Sequence, residues 1–151
     1  MIHHIRSSVN TIIPDRVFQR GQIYTWQREV KVRQFRDWGV TAVVNFWPKV
    51  DPDLGDIGLD WYWQISCPRS EGMLDDRVQV AATSVISYLK GVRGSRVLVL
   101  CEAGKTRSVF FCVLLVAGLN KMSYVDALRY VEERVPGIAL KRFMLDWVAD
   151  R

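Results

Sequence analysis

The run Arg96-Val97-Leu98-Val99-Leu100 constrains this chain more than any other segment. A strand with one face in water alternates apolar and polar side chains, but this one offers apolar groups to both faces. It belongs in the middle of a sheet that is covered on both sides. A mostly parallel sheet with helical crossovers provides such cover. The run ends at Cys101, and after a short loop residues 107–119 supply a second apolar stretch of helix length.

The rest of the chain alternates in the same way. Strand candidates are residues 17–24, 40–46, 59–65 and 96–100, and helix candidates are 26–38, 76–92, 107–119, 124–135 and 139–149. Ser123 with Asp126 reads as a capping-box-like start, and Pro136-Gly137 as the end of that helix and the opening of the last. We expect one α/β domain over residues 1–151, a mostly parallel central sheet of four to five strands flanked by helices. Residues 1–13 are expected to be an irregular N-terminal segment. A chain of 151 residues that is 49% hydrophobic can bury one ordinary core without metal or disulfide staples. No repeat, low-complexity tract or linker interrupts it. Ligands of such sheets bind beyond the carboxyl ends of the strands, where Cys101 lies.

Five residues separate Cys101 from Arg107, and Ser108 follows directly. A loop between a strand and a helix N-terminus carries backbone N–H groups without helical partners. Turned inward as a nest, those from Glu102, Ala103, Gly104, Lys105, Thr106 and Arg107 would hold one tetrahedral anion, and the same field favours a thiolate at Cys101. The planar fork of Arg107 suits two phosphate oxygens. Gly104 lets the backbone bend, and Ser108 can donate a hydrogen bond to the sulfur when it leaves. Together these residue types suit covalent attack on a phosphate monoester.

Three other readings compete. Ala103-Gly104-Lys105-Thr106 ends like a nucleotide-binding loop, but that pattern needs a glycine where Val99 stands. A redox pair would need a Cys-x-x-Cys spacing, whereas Cys67, Cys101 and Cys112 are far apart. An inert buried thiol is the commonest fate of a free cysteine. The offsets of Gly104, Arg107 and Ser108 outweigh it.

The Cys-x5-Arg-Ser loop resembles the phosphate-binding loop of the protein tyrosine phosphatase superfamily, closest to its compact dual-specificity branch. The flanks extend the likeness. Pro14-Asp15-Arg16-Val17-Phe18 with Gly21-Gln22-Ile23-Tyr24 resembles that family's opening strands, and Trp38-Gly39-Val40-Thr41-Ala42-Val43-Val44-Asn45 its next buried strand. Met122-Ser123-Tyr124-Val125-Asp126-Ala127-Leu128, followed by Val131, Arg134 and Pro136, resembles the helix beyond the loop. The resemblance implies a cysteine-phosphatase-like fold and hydrolysis of phosphotyrosine, phosphoserine, phosphothreonine or similar esters through a phosphocysteine. It implies no metal and no other cofactor.

It also implies a general acid on a loop before the cysteine. Here Arg69 stands where that acid often lies, and arginine cannot donate the proton. Glu71, in Glu71-Gly72, is the first candidate. Asp75 and Asp76 are the alternatives, each also placed for a helix N-cap. Leu100 replaces the histidine with which relatives order the loop, and Glu102 adds a negative neighbour. Both changes point to a rival reading, a phosphate-binding module with weak or no turnover. Lys105 resembles lipid-phosphatase relatives that accept inositol phosphates, which gives a third.

The net charge of +5 supports general attraction for acidic or phosphorylated substrates, a phosphorylated protein or a small phosphoester. No nucleic-acid reader motif accompanies it. Arg28, Lys31, Arg33 and Arg36 read as the solvated face of a helix. An odd number of cysteines argues for a reducing, cytoplasmic setting. The longest apolar run, residues 109–119, is too short for a membrane span, and residues 1–6 lack the apolar core of a signal peptide. Cys67 on the acid loop reads either as a redox partner of Cys101 or, by preference, as a small packing residue; Cys112 reads as core. Trp47, Trp61 and Trp63 read as a wall at the pocket mouth or as ordinary packing.

Overall fold

The all-apolar run does form the centre of a sheet. A computed structural model, which describes residues 9–151, places Val97–Cys101 (β5) third among five strands. The others are β1 (Asn10–Ile13), β2 (Val17–Gly21), β3 (Ala42–Asn45) and β4 (Trp61–Gln64), in the order β1-β2-β5-β3-β4. β5 runs parallel to β2 and β3, β3 runs parallel to β4, and β1 lies antiparallel on β2. Residues 1–8, with the segment weighed above as a signal peptide, lie outside the described residues.

Helices α1 (Arg28–Trp38), α2 (Asp76–Gly91), α3 (Arg107–Asn120), α4 (Tyr124–Glu132) and α5 (Arg142–Ala149) supply the two covering layers. Alternation along β5 divides the core. Val97, Val99 and Cys101 join the cluster that holds α3, whereas Leu98 and Leu100 pack with Phe35 and Trp38 of α1. α3 is apolar all round because it is buried all round: every residue from Val109 to Val116 is buried. Each large side chain enclosed this way stabilises the fold by about 1.5–3 kcal/mol. No single helix among the described residues is long and apolar enough to cross a membrane.

Three expectations needed correction. Asn10–Ile13 is a strand, not irregular: Asn10-Thr11-Ile12-Ile13 is too short for a periodic signal, and its register on β2 slips between Thr11 and Ile13. β2, β3, β4 and the last two helices are shorter than the expected spans, as β2 ends at Gly21, α4 ends at Glu132 and α5 starts at Arg142. Lys31 is not on a solvated face. It is 1% exposed, and its Nζ donates to Asp51 at 2.7 Å and Asp53 at 2.8 Å. The loop after β3 folds over α1 there, and a buried ammonium persists only when its charge is matched.

The capping reading at Ser123 matches the structure, where Ser123 Oγ accepts the Asp126 N–H at 3.1 Å.

Candidate active site

The parallel register sets Gly21 of β2 beside Cys101 and brings Asn45 of β3 beside Leu100. β2 therefore ends level with the cysteine and β3 one residue before it. The chain leaves the sheet at Cys101 and turns over β2 before entering α3 at Arg107.

What holds this turn is a set of outward carbonyls. Glu102 O accepts from Gln22 N–H at 3.1 Å, Gly104 O from Gln19 Nε2 at 2.7 Å, and Lys105 O from Ala139 N–H at 2.9 Å. Thr106 O accepts from Phe110 N–H at 2.9 Å in the first turn of α3. In a planar trans peptide the N–H points opposite to the C=O. Anchoring four carbonyls outward thus turns the N–H groups of Ala103, Lys105, Thr106 and Arg107 toward the other side of the loop. Beside the loop lies a pocket of about 170 Å³ lined by Pro68, Ser70, Cys101, Glu102, Ala103, Thr106, Arg107 and Lys141. The loop leads directly into the N-terminus of a fourteen-residue helix, whose first N–H groups lack helical partners.

Gly104 makes the turn possible. Its φ is +72°, and a Cβ there would overlap Gly21 N and come within 2.9 Å of Arg20 C. Only a residue without a side chain lets the loop lie this close to β2.

Cys101 is buried at the floor of the pocket, with Sγ 3.0 Å from Ser108 Oγ. Ser108 is itself fully buried and receives a second contact, from Gln19 Nε2 at 2.7 Å. Sequence reasoning missed Gln19. The available signal was an amide following the apolar pair Val17-Phe18 in an interior strand, where an unpaired polar group is costly. Arg107 lies across the pocket at 11% exposure, bonded to the Cys67 carbonyl and 3.6 Å from the Glu102 carboxylate. It ties the loop to the segment that carries the acid candidates.

That segment does not deliver an acid to the pocket. Ser70–Leu74 forms a 3-10 turn pinned by buried Met73, and it turns Ser70 inward while Glu71 stands exposed. Asp75 occupies the N-cap position of α2 and pairs with Arg77 at 3.6 Å; Asp76 begins the helix. None of the three lines the pocket. Among the described residues, Glu102 is its one lining carboxylate.

Cys67 is buried inside this turn, with Sγ donating to Arg69 O at 3.2 Å. Burial pushes its thiol up, opposed by the charge of Arg107. Cys112, on α3, is fully enclosed in the core, and desolvation raises its thiol far above the ordinary range. Trp61 and Trp63 do not wall the site. They line a separate groove with Thr83, Ser84, Ser87 and Tyr88, because side chains two apart on β4 share the face that meets α2. Lys141, at the N-cap of α5, is the rim residue that sequence reasoning missed; it follows the segment anchored through Ala139, whose carbonyl accepts from Thr106 Oγ1 at 2.9 Å.

No protein-family model matches the sequence, and no curated protein matches it. Solved structures do match the fold. PTP-2 phosphatase of Cydia pomonella superposes with a TM-score of 0.78 at 17% identity, over 96% of this chain and 90% of that one. PTPMT1 gives 0.73 at 14% identity, over 95% and 92%. Human DUSP28 gives 0.70 at 14% identity, over 94% and 90%. With the strand order, these likenesses give the chain the single-domain α/β fold that these phosphatase structures share.

Proposed function

We propose that the protein is a cysteine-dependent phosphatase of phosphomonoesters. The observation that carries this reading is the cluster at the end of β5: a buried cysteine sulfur lining a small pocket, a serine hydroxyl 3.0 Å from that sulfur and an arginine lining the same pocket. Cys101 attacks phosphorus while the loop N–H groups and Arg107 stabilise the equatorial oxygens. The sulfur to phosphorus bond forms as the ester bond breaks, and the departing oxygen takes a proton from a carboxylic acid. Water then attacks phosphorus, gives its proton to the same carboxylate, and the bond to sulfur breaks with its electron pair on Cys101. Ser108 Oγ stands where that developing thiolate needs a donor.

Glu71 remains the acid of first choice, with Asp75 and Asp76 behind it. The charges of Glu71 and Asp75 both act on the Cys67 thiol, so they lie on the segment that Arg107 holds against the pocket. Bringing Glu71 over the site requires residues 66–76 to shift when substrate displaces Arg107 from the Cys67 carbonyl. Lys141 on the rim favours esters flanked by further negative charge. Free thiols at all three cysteines suit a reducing cytoplasmic setting.

Turnover of a small aryl phosphate tests the reading. Cys101→Ser should abolish hydrolysis while keeping oxyanion binding. A wild-type rate no higher than that of the Cys101→Ser variant would leave a phosphate-binding module in place of an enzyme. A panel of phosphopeptides and inositol phosphates then ranks substrates by kcat/KM.

A further inference from the structure

Gln19 is a fully buried amide whose three hydrogen bonds fix its orientation. Gly104 O can only accept, so the atom 2.7 Å from it is the nitrogen. The oxygen then faces Asn10 Nδ2, which donates to it at 2.8 Å. Both hydrogens of Gln19 Nε2 are consequently spoken for, one by Gly104 O and one by Ser108 Oγ at 2.7 Å.

The consequence falls on Ser108. A hydroxyl has one hydrogen to give, and its oxygen is already accepting from Gln19. Its two recorded contacts are that amide and Cys101 Sγ at 3.0 Å, and the amide nitrogen cannot accept. The Ser108 hydrogen is left pointing at the sulfur. We infer that Gln19 is a positioning residue for the nucleophile: through Asn10, Gln19 and Ser108 it fixes a hydroxyl as donor to the Cys101 thiolate and, through Gly104 O, holds the loop.

This supplies from β2 an ordering function that Leu100 cannot. Leu100 is 2% exposed and packs in the α1 layer on the opposite face of the sheet from Gln19's partners, with no polar atom to offer. The donor acts both when Cys101 attacks and when it leaves. Its loss therefore slows breakdown of the phosphocysteine as well as its formation.

The inference rests on the phosphatase reading for its catalytic meaning, but its test does not need turnover. The rate of Cys101 carboxymethylation by iodoacetate at pH 7, assigned by peptide mass, reads thiolate reactivity directly. Gln19→Met, similar in length but without a donor, should slow it about three- to tenfold, the range expected when a hydrogen bond to a charged group is weakened. The same change in a Ser108→Ala background should alter the rate by less than about twofold, because the effect passes through the serine. Equal fold-changes in the two backgrounds would make Gln19 a general support of the loop and overturn the proposal. Thermal unfolding of each variant reports whether it is folded. If Gln19→Met does not fold, a neutron structure of the wild-type protein decides: a Ser108 deuteron on the Cys101 side supports the inference, and one directed at Gln19 refutes it. A wild-type protein that fails to hydrolyse aryl phosphate would sink the phosphatase reading while leaving both readouts intact.

Discussion

Gly104→Ala tests whether the loop lies against β2 as closely as the structure has it. Two costs add. Holding alanine at φ +72° costs about 1–2 kcal/mol, because Cβ crowds the following carbonyl. The new methyl would also overlap Gly21 N, and it would lie within 2.9 Å of Arg20 C and 3.0 Å of Gly21 Cα. Those atoms are strand backbone held in register against β5, so they cannot swing away as a side-chain end would. Overpacking of this kind costs about 1–3 kcal/mol, for a total of about 2–5 kcal/mol. Gly94→Ala separates the two contributions, since Gly94 has φ +77° but nothing within 4 Å of an added Cβ. It should lose only the backbone share, about 1–2 kcal/mol. Urea unfolding with linear extrapolation measures both variants. Tungstate binding by calorimetry reads the pocket: Gly104→Ala should weaken it more than tenfold, as the displaced loop turns its N–H groups away, and Gly94→Ala should leave it unchanged. Equal destabilisation of the two variants, with intact tungstate binding, would refute the close approach and the account of the loop built on it.

Four further outcomes follow from named contacts. Lys31→Met strands the buried Asp51 beside Asp53 and should cost about 3–5 kcal/mol in urea unfolding. Ser123→Ala removes the cap on Asp126 N–H and should cost about 1 kcal/mol by the same assay. The Cys112 thiol stays protonated in the fold after it ionises in the unfolded chain, because burial raises it. Its contribution is constant below the unfolded pKa of about 8.5, and above that the unfolded state is favoured by about 1.4 kcal/mol per pH unit. Cys112→Ala should make the alkaline loss of stability shallower between pH 9 and pH 10 by about that slope; an unchanged slope would exclude the buried thiol as its source. Glu71→Gln should lower kcat about 10²–10⁴-fold for esters with poor leaving groups and much less for aryl phosphates with good ones. If Asp75→Asn does this and Glu71→Gln does not, the acid has been misassigned.

Much of the molecule follows from local chemistry. A strand apolar on both faces must be central, and an apolar helix that long must be buried, so Val97–Cys101 and Arg107–Asn120 occupy the places their composition demands. The spacing of Cys101, Gly104, Arg107 and Ser108 is likewise a local property, because one loop and one helix start carry all four. What tertiary structure decided are the partners that arrive from elsewhere in the chain. Gln19, Lys141 and the Cys67 carbonyl come from β2, the edge of α5 and the segment before α2, and no periodicity links them to the loop. Lys31 looked solvated because its helix is charged, yet a distant loop supplied two carboxylates to bury it. Sequence reports which groups are able to do chemistry. The fold decides which of them meet, since a hydrogen bond depends on a distance of about 3 Å that no spacing along the chain encodes.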